Sequence, residues 1–441
     1  MVETSFKEAF SEEWVKQNVR DHLNELVIMR RVIPWQKVIE RLARFYRKGK
    51  GRTGKSLRMM VALLVIGKLR ELSDAGVVKQ VKENRYIQYF CNVPDTGLLT
   101  FLNPSTLCTF RKRLGVEGTA IVERQIFDLL VRAGAIQNDA QLMDSTVLEN
   151  DIIYPTDVLL VYRALKKIRQ FAERNKIPFW WDAEHVKKRW RAYNLAKKNE
   201  KYAYLWEFYL LFTSALKLFQ IHVETIPVAD RQNEKDQSLC ELLKLLEVQT
   251  REKILGEKHI ENRIVSLDNV DARPIKKGKS YPACEFGTTL QLSFNRQGFM
   301  VTAENFVGVP GDKTLYPSTL ELYRERLKGY PDKAITDLGY RSSNNFKASK
   351  GKVQYVFMGR SEDVPEEVQD YCRRARSATE GFIAVAKNCR GFGRSLYRNL
   401  DGDKIWTRLC QIAYNLQKLV QLYEKEALDE ECLIKLGLSP A

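Results

Sequence analysis

The stretch AQLMDSTVLENDIIYPTD, residues 140–157, decides the fold. Its first ten residues alternate as a half-buried strand does: Leu142, Asp144, Thr146 and Leu148 share one face, and Met143, Ser145, Val147 and Glu149 share the other. Four carboxylates crowd this stretch, but they are not equivalent. Asp144 sits in the middle of the strand. Glu149 points to the opposite face, Asp151 falls where the strand ends, and Asp157, after Pro155-Thr156, reads as the N-cap or first-turn acid of a helix.

Around this strand lie 441 residues, long for one core, so two or three domains are expected. A hydrophobic content of 44% with 10% aromatics is enough to bury such cores, which excludes a largely disordered chain. The formal charge of +17, from 72 Lys+Arg against 55 Asp+Glu, makes a positive field that concentrates polyanions. Nucleic acid is the first partner to consider. Eight cysteines without a CxxC pair argue against a zinc ribbon or disulfide framework and fit a reducing cytoplasm. The four dispersed histidines read as ordinary surface or packing residues. The N-terminus, MVETSFKEAFSEEWVK, mixes charges and has no apolar centre, unlike a signal peptide. The most apolar run, MMVALLVIG at 59–67, is about half the length of a membrane span, so a soluble intracellular protein with no membrane partner is expected.

Residues 1–138 read as helical, with Leu57, Val61, Leu64 and Leu69 near helical spacing and Ser73-Asp74 closing one helix and capping the next. NPST then opens STLCTFRKRLG, a helix carrying Arg111, Lys112 and Arg113. Such a region can be a helix-turn-helix DNA reader or a small helical bundle with a solvated basic face. The next strands come only at 285–294 and 298–306, joined by a hairpin turn at Asn295–Gly298. Between them lies a helical insertion, 157–262. Its part 158–204 holds thirteen Lys/Arg against four Asp/Glu, a net +9, interleaved with Phe179, Trp180, Trp181, Trp190, Tyr193 and Tyr202. Lys187, Lys188, Arg189 and Trp190 are the densest group. Clustered cations with aromatics suit a phosphate backbone and unstacked bases. A helical bundle with aromatics inside and lysines in water has the same composition.

After the hairpin the pattern gives a helix at 315–328, a strand KAITDLG at 333–339, a short helix, a strand at 352–358 and a long helix at 366–389. An amphipathic helix with the stripe Ile405, Leu409, Ile412, Leu416, Leu419 and Tyr423 follows, and 426–441 is a tail. The expected fold is an α/β domain over 139–425, interrupted by the insertion and preceded by an all-α domain. GKGRTGKS, Gly49–Ser56, matches the phosphate-loop pattern letter for letter, yet RLARFYRK before it has no buried-strand character. It reads as a basic lead-in to the next helix.

Three acids take strategic positions in the α/β part: Asp144 within the first strand, Asp337 at the end of KAITD, and Glu380 in the long helix. Strand ends and their covering helix converge at one edge of such a sheet. Acids gathered there repel one another unless metal ions offset the charge, and hard oxygen ligands suit Mg²⁺ or Mn²⁺. Two such ions, about 3.5 to 4 Å apart, support in-line phosphodiester displacement. On the long helix, Arg373, Arg376, Glu380 and Lys387 lie within roughly 60° of one another. Tyr371, Ala375, Ala378, Phe382, Val385, Ala386 and Cys389 occupy the opposite side, and an ordinary salt-bridged solvated face would look similar.

With these residues the chain resembles a DDE transposase of the bacterial insertion-sequence type. That family's signature around its third acid is Tyr-x2-Arg-x3-Glu-x6-Lys; Arg376, Glu380 and Lys387 match it, and the tyrosine position holds Arg373. MDSTVLENDIIYPTD resembles the family's first-acid block, RPIKKGKSYPACEFGTTLQL its second-strand block, and ITDLGYRS its second-acid block. SLRMMVALLVIGKLRELSDAGVVKQV and NPSTLCTFRKRL resemble the N-terminal domain found on such transposases. The resemblance implies a ribonuclease H-like mixed sheet with an N-terminal helical DNA-binding domain. It implies two Mg²⁺ or Mn²⁺ ions held by Asp144, Asp337 and Glu380, with Asp144 bridging both. Arg376 and Lys387 would hold DNA phosphates, with Arg390 and Arg394 as further contacts. The implied partners are double-stranded DNA, as terminal inverted repeats and target, and a second copy of the chain, in a nucleoid-associated bacterial or archaeal setting. A stand-alone two-metal nuclease, or a DNA-binding descendant that no longer cuts, remains an alternative.

Overall fold

The N-terminal third is helical because its apolar residues recur at helical spacing and its polar residues cap. Helices α1 (Glu12–Asn18), α2 (Glu25–Val32), α3 (Trp35–Leu42), α4 (Leu57–Leu69), α5 (Asp74–Glu83), α6 (Arg85–Cys91) and α7 (Pro104–Ala133) follow in order. The computed structural model describes residues 8–46, 54–94, 102–179, 181–225, 231–276, 284–359 and 364–439. Asn103 caps α7 by accepting from the Ser105 N–H, with Pro104 preset for the first turn. Midway, Gly115 at φ +58° and ψ −160° breaks the helical path and kinks α7 into two limbs. The sequence LRMMVALLVIGKL makes α4 apolar on nearly every side, and it is correspondingly buried. Among the described residues no helix is long and apolar enough to cross a membrane.

Strand β1 (Ala140–Asn150) forms where its alternation requires. With β2 (Arg273–Ile275), β3 (Glu285–Asn295), β4 (Met300–Phe306), β5 (Lys333–Thr336), β6 (Tyr355–Met358) and β7 (Arg394–Ser395) it builds a mixed sheet. The order is β2-β3-β1-β5-β6, with β4 paired to β3 and β7 to β1. β3 and β4 are an antiparallel hairpin, whereas β1, β5 and β6 run parallel. Beyond the insertion lie α12 (Asp312–Leu327), α13 (Ser343–Ser349), α14 (Glu366–Cys389), α15 (Asn399–Glu424) and α16 (Glu430–Leu436). Leu142, Leu290, Leu292, Ile335 and Phe357 pack with Cys372 and Ala386 of α14 and Cys410 and Tyr414 of α15. Met143, Ala334 and Met358, on the other face, pack with Tyr316 and Leu320 of α12.

The chain divides into two compact units, Met1–Glu149 with Thr289–Ala441, and Asn150–Thr288. In the first, the N-terminal helices share a core with the C-terminal ones: Val61, Phe110, Ile126 and Leu130 pack with Leu409, Ile412, Leu416 and Leu419. Arg326 of α12 and Glu123 of α7 form a buried ion pair within that unit, the two side chains only 6% and 3% exposed. The second unit holds α8 (Asp157–Arg174), α9 (Ala183–Leu195), α10 (Lys201–Thr225) and α11 (Arg231–Ile254) around their own apolar core. Thr156 caps α8 by accepting from the Leu159 N–H, and Asp157 in its first turn pairs with Arg263 at 2.7 Å.

Several boundaries differ from the sequence pattern. The helix expected at 315–328 starts at Asp312, because its polar first turn carries no apolar signal. The strand expected at 333–339 stops at Thr336, where Asp337 caps a 3-10 turn at Leu338–Tyr340. The strand expected from 352 begins at Tyr355. The tail at 426–441 contains α16, whose Cys432, Leu433 and Leu436 are buried. Ahead of GKGRTGKS the described residues are helix α3 and a 3-10 turn, with no strand; Gly49 to Thr53 lie outside the described residues.

Candidate active site

Parallel pairing places the two strand-borne acids side by side. Gln141 is level with Ala334 and Leu142 with Ile335; continuing that register by two residues sets Asp144 level with Asp337. Neighbouring strands lie about 4.8 Å apart, and residues level in a parallel pair project to the same face. Alternation from Leu142 and Ile335 directs both aspartates to the face on which α14 packs. Asp337 stays extended one residue past β5, at φ −79° and ψ −179°, and its Oδ1 accepts the Gly339 N–H at 2.9 Å. Asp144 Oδ1 accepts the Ser145 N–H at 2.7 Å. Both acids are half-buried.

A third carboxylate, absent from the sequence reading, enters from α12. Ser145 Oγ donates to Asp312 Oδ1 at 2.6 Å. A Cβ on Gly339 would stand 3.1 Å from Asp337 Oδ1 and 3.2 Å from Asp312 Oδ2, so the two carboxylates flank one small space that any larger residue would fill. Beneath them Tyr340 is fully buried and donates to Gln291 Oε1 at 2.8 Å. Burial, and then the Asp312 and Asp144 carboxylates, push its phenol well above the ordinary range, so it stays a neutral donor. A sequence signal for Asp312 existed: it follows Pro310-Gly311 at a helix start, where an acid is favoured by the helix dipole.

Glu380 lies on α14, the helix that packs on the same face of the sheet. The buried stripe of α14 runs through Cys372, Thr379 and Ala386, flanked by Val368, Ala375, Phe382 and Ile383. Ala378, Val385 and Cys389, expected on that side, are exposed instead. The stripe is thus rotated toward Arg376, Glu380 and Lys387, which stand on its shoulder and not diametrically opposite. Phe382 fixes this setting: its ring lies against Gly298 of the β3–β4 hairpin, where a Cβ would come within 2.7 Å of it. Glu380 and Arg376 are exposed and make no hydrogen bond or ion pair among the described residues. Among those residues no three His, Cys, Asp or Glu side chains are gathered as a metal-holding group. Asp144 and Asp337 offer only carboxylate oxygens, the donors that Mg²⁺ and Mn²⁺ take.

A family model, Transposase domain (DUF772), matches residues 13–113. A protein of Rhizobium meliloti described as "Uncharacterized protein ORF8 in nfe locus" is 30% identical over 155 residues, 34% of this chain and 74% of that protein. The chain belongs to the transposase-domain family. No solved structure matches. Membership makes DNA the expected partner and a DNA-processing enzyme the expected class. The matched transposase domain spans α1 to the first limb of α7 and ends just before the Gly115 kink.

Within that transposase domain the three basic residues at 111–113 are held differently. Arg111 is bound bidentately by Asp74 at 2.6 and 2.7 Å and stacks over Tyr397, which commits its charge inside the protein. Lys112 and Arg113 are exposed, with Arg113 lying over the Tyr46 ring. On α14, Arg373 pairs with Asp370 at 2.6 Å. Arg394 pairs with Glu149 at 3.1 Å, Arg390 turns back to the Cys389 carbonyl, and Lys387 is half-buried.

In the insertion, Lys187 pairs with Glu184 at 3.4 Å, Arg189 grips Glu207, and Lys188 is exposed. Trp190 stacks on Tyr162 at 4.9 Å with planes 3° apart. Trp181 and Tyr193 are buried in the insertion core, with Phe179, Trp190 and Tyr204 packed against it. Tyr202 remains exposed, its hydroxyl donating to the Ile254 carbonyl. Trp180 lies outside the described residues. The aromatics interleaved with cations therefore serve mainly as core, while the cations stay at the surface.

Proposed function

We propose that this transposase-family chain is a DDE transposase, cutting DNA at the ends of its insertion sequence and joining those ends to target DNA on a ribonuclease H-like sheet. The observation that carries the reading is the parallel register of β1 and β5, Leu142 level with Ile335, which continued by two residues would bring Asp144 level with Asp337 on the face that α14 covers. A hairpin followed by parallel strands, in the order β3-β1-β5-β6, supports the fold assignment. Asp144, Asp337 and Glu380 would hold two Mg²⁺ or Mn²⁺ ions, which when bound activate a water or 3′-hydroxyl and stabilise the leaving oxygen.

The chain's own groups prepare that site. Ser145 links the Asp144 carboxylate, through its N–H, to the Asp312 carboxylate, through its hydroxyl, tying β1 to the start of α12. Tyr340 gives the site a neutral, buried floor. Arg376 and Lys387, on the exposed shoulder of α14, would take DNA phosphates, the guanidinium bidentately and the ammonium as a point charge. Double-stranded DNA, as terminal inverted repeats and target, is the substrate, and two copies are needed to bring two ends together.

The test uses the full chain with duplex DNA carrying the inverted repeats that flank its reading frame, in Mg²⁺ or Mn²⁺. Cleavage and joined products are expected, and Asp144→Asn should lower cutting on the order of a thousandfold or more. Undiminished cutting by Asp144→Asn would overturn the site.

A further inference from the structure

One lysine of the sheet unit is placed where the fold gains nothing from its charge. Lys68, in the last turn of α4, makes no hydrogen bond or ion pair among the described residues. Its ammonium lies over the Trp406 ring and 5.0 Å from the centre of the Tyr397 ring. Ring faces return only part of what an ammonium loses on leaving water, and burial pushes the amine down to about 7. A charge that costs stability and meets no carboxylate of its own fold, at the wall of a cavity, marks a binding site.

The cavity beside Lys68 measures about 600 Å³, the size of a small-molecule site. Helices α4 and α5 line it with Leu63, Leu64 and Val77, and Leu396, 61% exposed, stands where it meets solvent. Four cationic side chains line it against two acidic ones. Arg111 is already bound bidentately by Asp74, and Arg394 is paired with Glu149, so the Lys68 ammonium is the charge that a ligand can meet. A cation would be repelled here, and a wholly apolar ligand would leave the ammonium unmet. A ligand that is all charge would gain nothing from the leucines.

We propose that this cavity binds a small organic oxyanion, a phosphate or carboxylate on an apolar or planar body the size of one nucleotide, with its charged end on Lys68 and its body along Leu63, Leu64 and Val77. None of Asp144, Asp337 and Glu380 lines the cavity, so the proposal does not depend on the catalytic reading. An occupant would touch α4 and α5 of the matched transposase domain together with Trp406 of α15, joining the two ends of the chain. A bound anion favours the charged amine, so binding takes up a proton at pH 8 and none at pH 6. The other titratable groups around Lys68 are Glu71, Asp74, Arg111, Cys410 and Tyr397. Burial pushes the Cys410 thiol up to about 11 and the Tyr397 phenol well above its ordinary range, so neither exchanges a proton at pH 8.

The test is titration calorimetry of the full chain with adenosine 5′-monophosphate and with indole-3-carboxylate. Inorganic phosphate and adenosine are the controls that carry only the charge or only the body. The two organic anions are expected to bind about tenfold or more tighter than either control, with heats that depend on the buffer at pH 8 and report the proton uptake. Lys68→Met keeps the apolar stem, and its folding is checked by its melting curve; it should weaken both anions about tenfold or more and abolish the proton uptake. Binding seen only with a duplex bearing a single-nucleotide 5′ overhang, and lost in Lys68→Met, would make the oxyanion a strand end in place of a free molecule. No binding of any of these probes overturns the proposal. So does binding that folded Lys68→Met leaves undiminished.

Discussion

The sheet unit and the insertion use charge in opposite ways. In the first, acids sit in or just past parallel strands and at a helix start: Asp144 within β1, Asp337 one residue beyond β5, and Asp312 tied in through Ser145. In the second, exposed cations such as Lys188 and Arg191 on α9, and Lys197 and Lys198 in the turn after it, surround helices whose aromatics pack inward. A strand presents a few groups at fixed spacing, which suits chemistry. A solvated helix face presents many groups with freedom to adjust, which suits holding a long polyanion.

The strongest way to break the contrast is at the strand ends. Asp337→Asn should reduce DNA cutting on the order of a thousandfold or more, with thermal stability nearly unchanged, as gel cleavage and calorimetry would show. Equal loss of folding would make Asp337 a structural acid. Next, Trp181→Ala should destabilise the insertion by about 3–5 kcal/mol in denaturant melts, because Trp181 is 8% exposed and part of its core. A stable variant that instead loses DNA affinity would show the aromatics stacking on bases.

Asp312→Asn keeps the shape but weakens the bond from Ser145, and a drop in cutting of about 10- to 100-fold is expected, with DNA affinity retained. Lys68, held over the Trp406 ring in the sheet unit, tests whether cations there are structural. Burial pushes its amine down to about 7, below the 10.5 it has when exposed. Below pH 7 it is charged folded and unfolded, so the burial penalty is then fully present, and stability should rise as pH climbs from 7 toward 10. Lys68→Met should flatten that rise and add about 2–4 °C to the melting temperature at pH 7. The smallest effect is at the insertion surface: Lys188→Ala should lower the salt slope of DNA binding by about 0.9 if it meets one phosphate, uniformly across sequences.

What could be read from sequence follows the same division. Period-two alternation announced β1 and the face of Asp144, because one residue of slip would turn every side chain around. That Asp144 would stand level with Asp337 could not be read, since parallel register across an interval of nearly 200 residues leaves no local pattern. The helical spacing of α14 was visible but its rotation was not, because Phe382 seats against a hairpin distant in sequence. Asp312 was hidden by a polar first turn that resembles a loop. Composition could not separate core aromatics from exposed ones in the insertion, since Trp181 and Tyr202 differ in packing and not in their neighbours' charge.

The insertion's position in the chain has a consequence for how the protein comes to be folded. The sheet unit is written in two pieces, ending at Glu149 and resuming at Thr289, with the other unit between them. During synthesis β1 therefore emerges well before β3, β5 and β7, the strands that pair with it, and must wait for them. The helical unit, rich in local contacts, can form meanwhile, whereas the sheet bears a high contact order and closes late. Truncation after the insertion would leave β1 as an unpaired edge, open to aggregation.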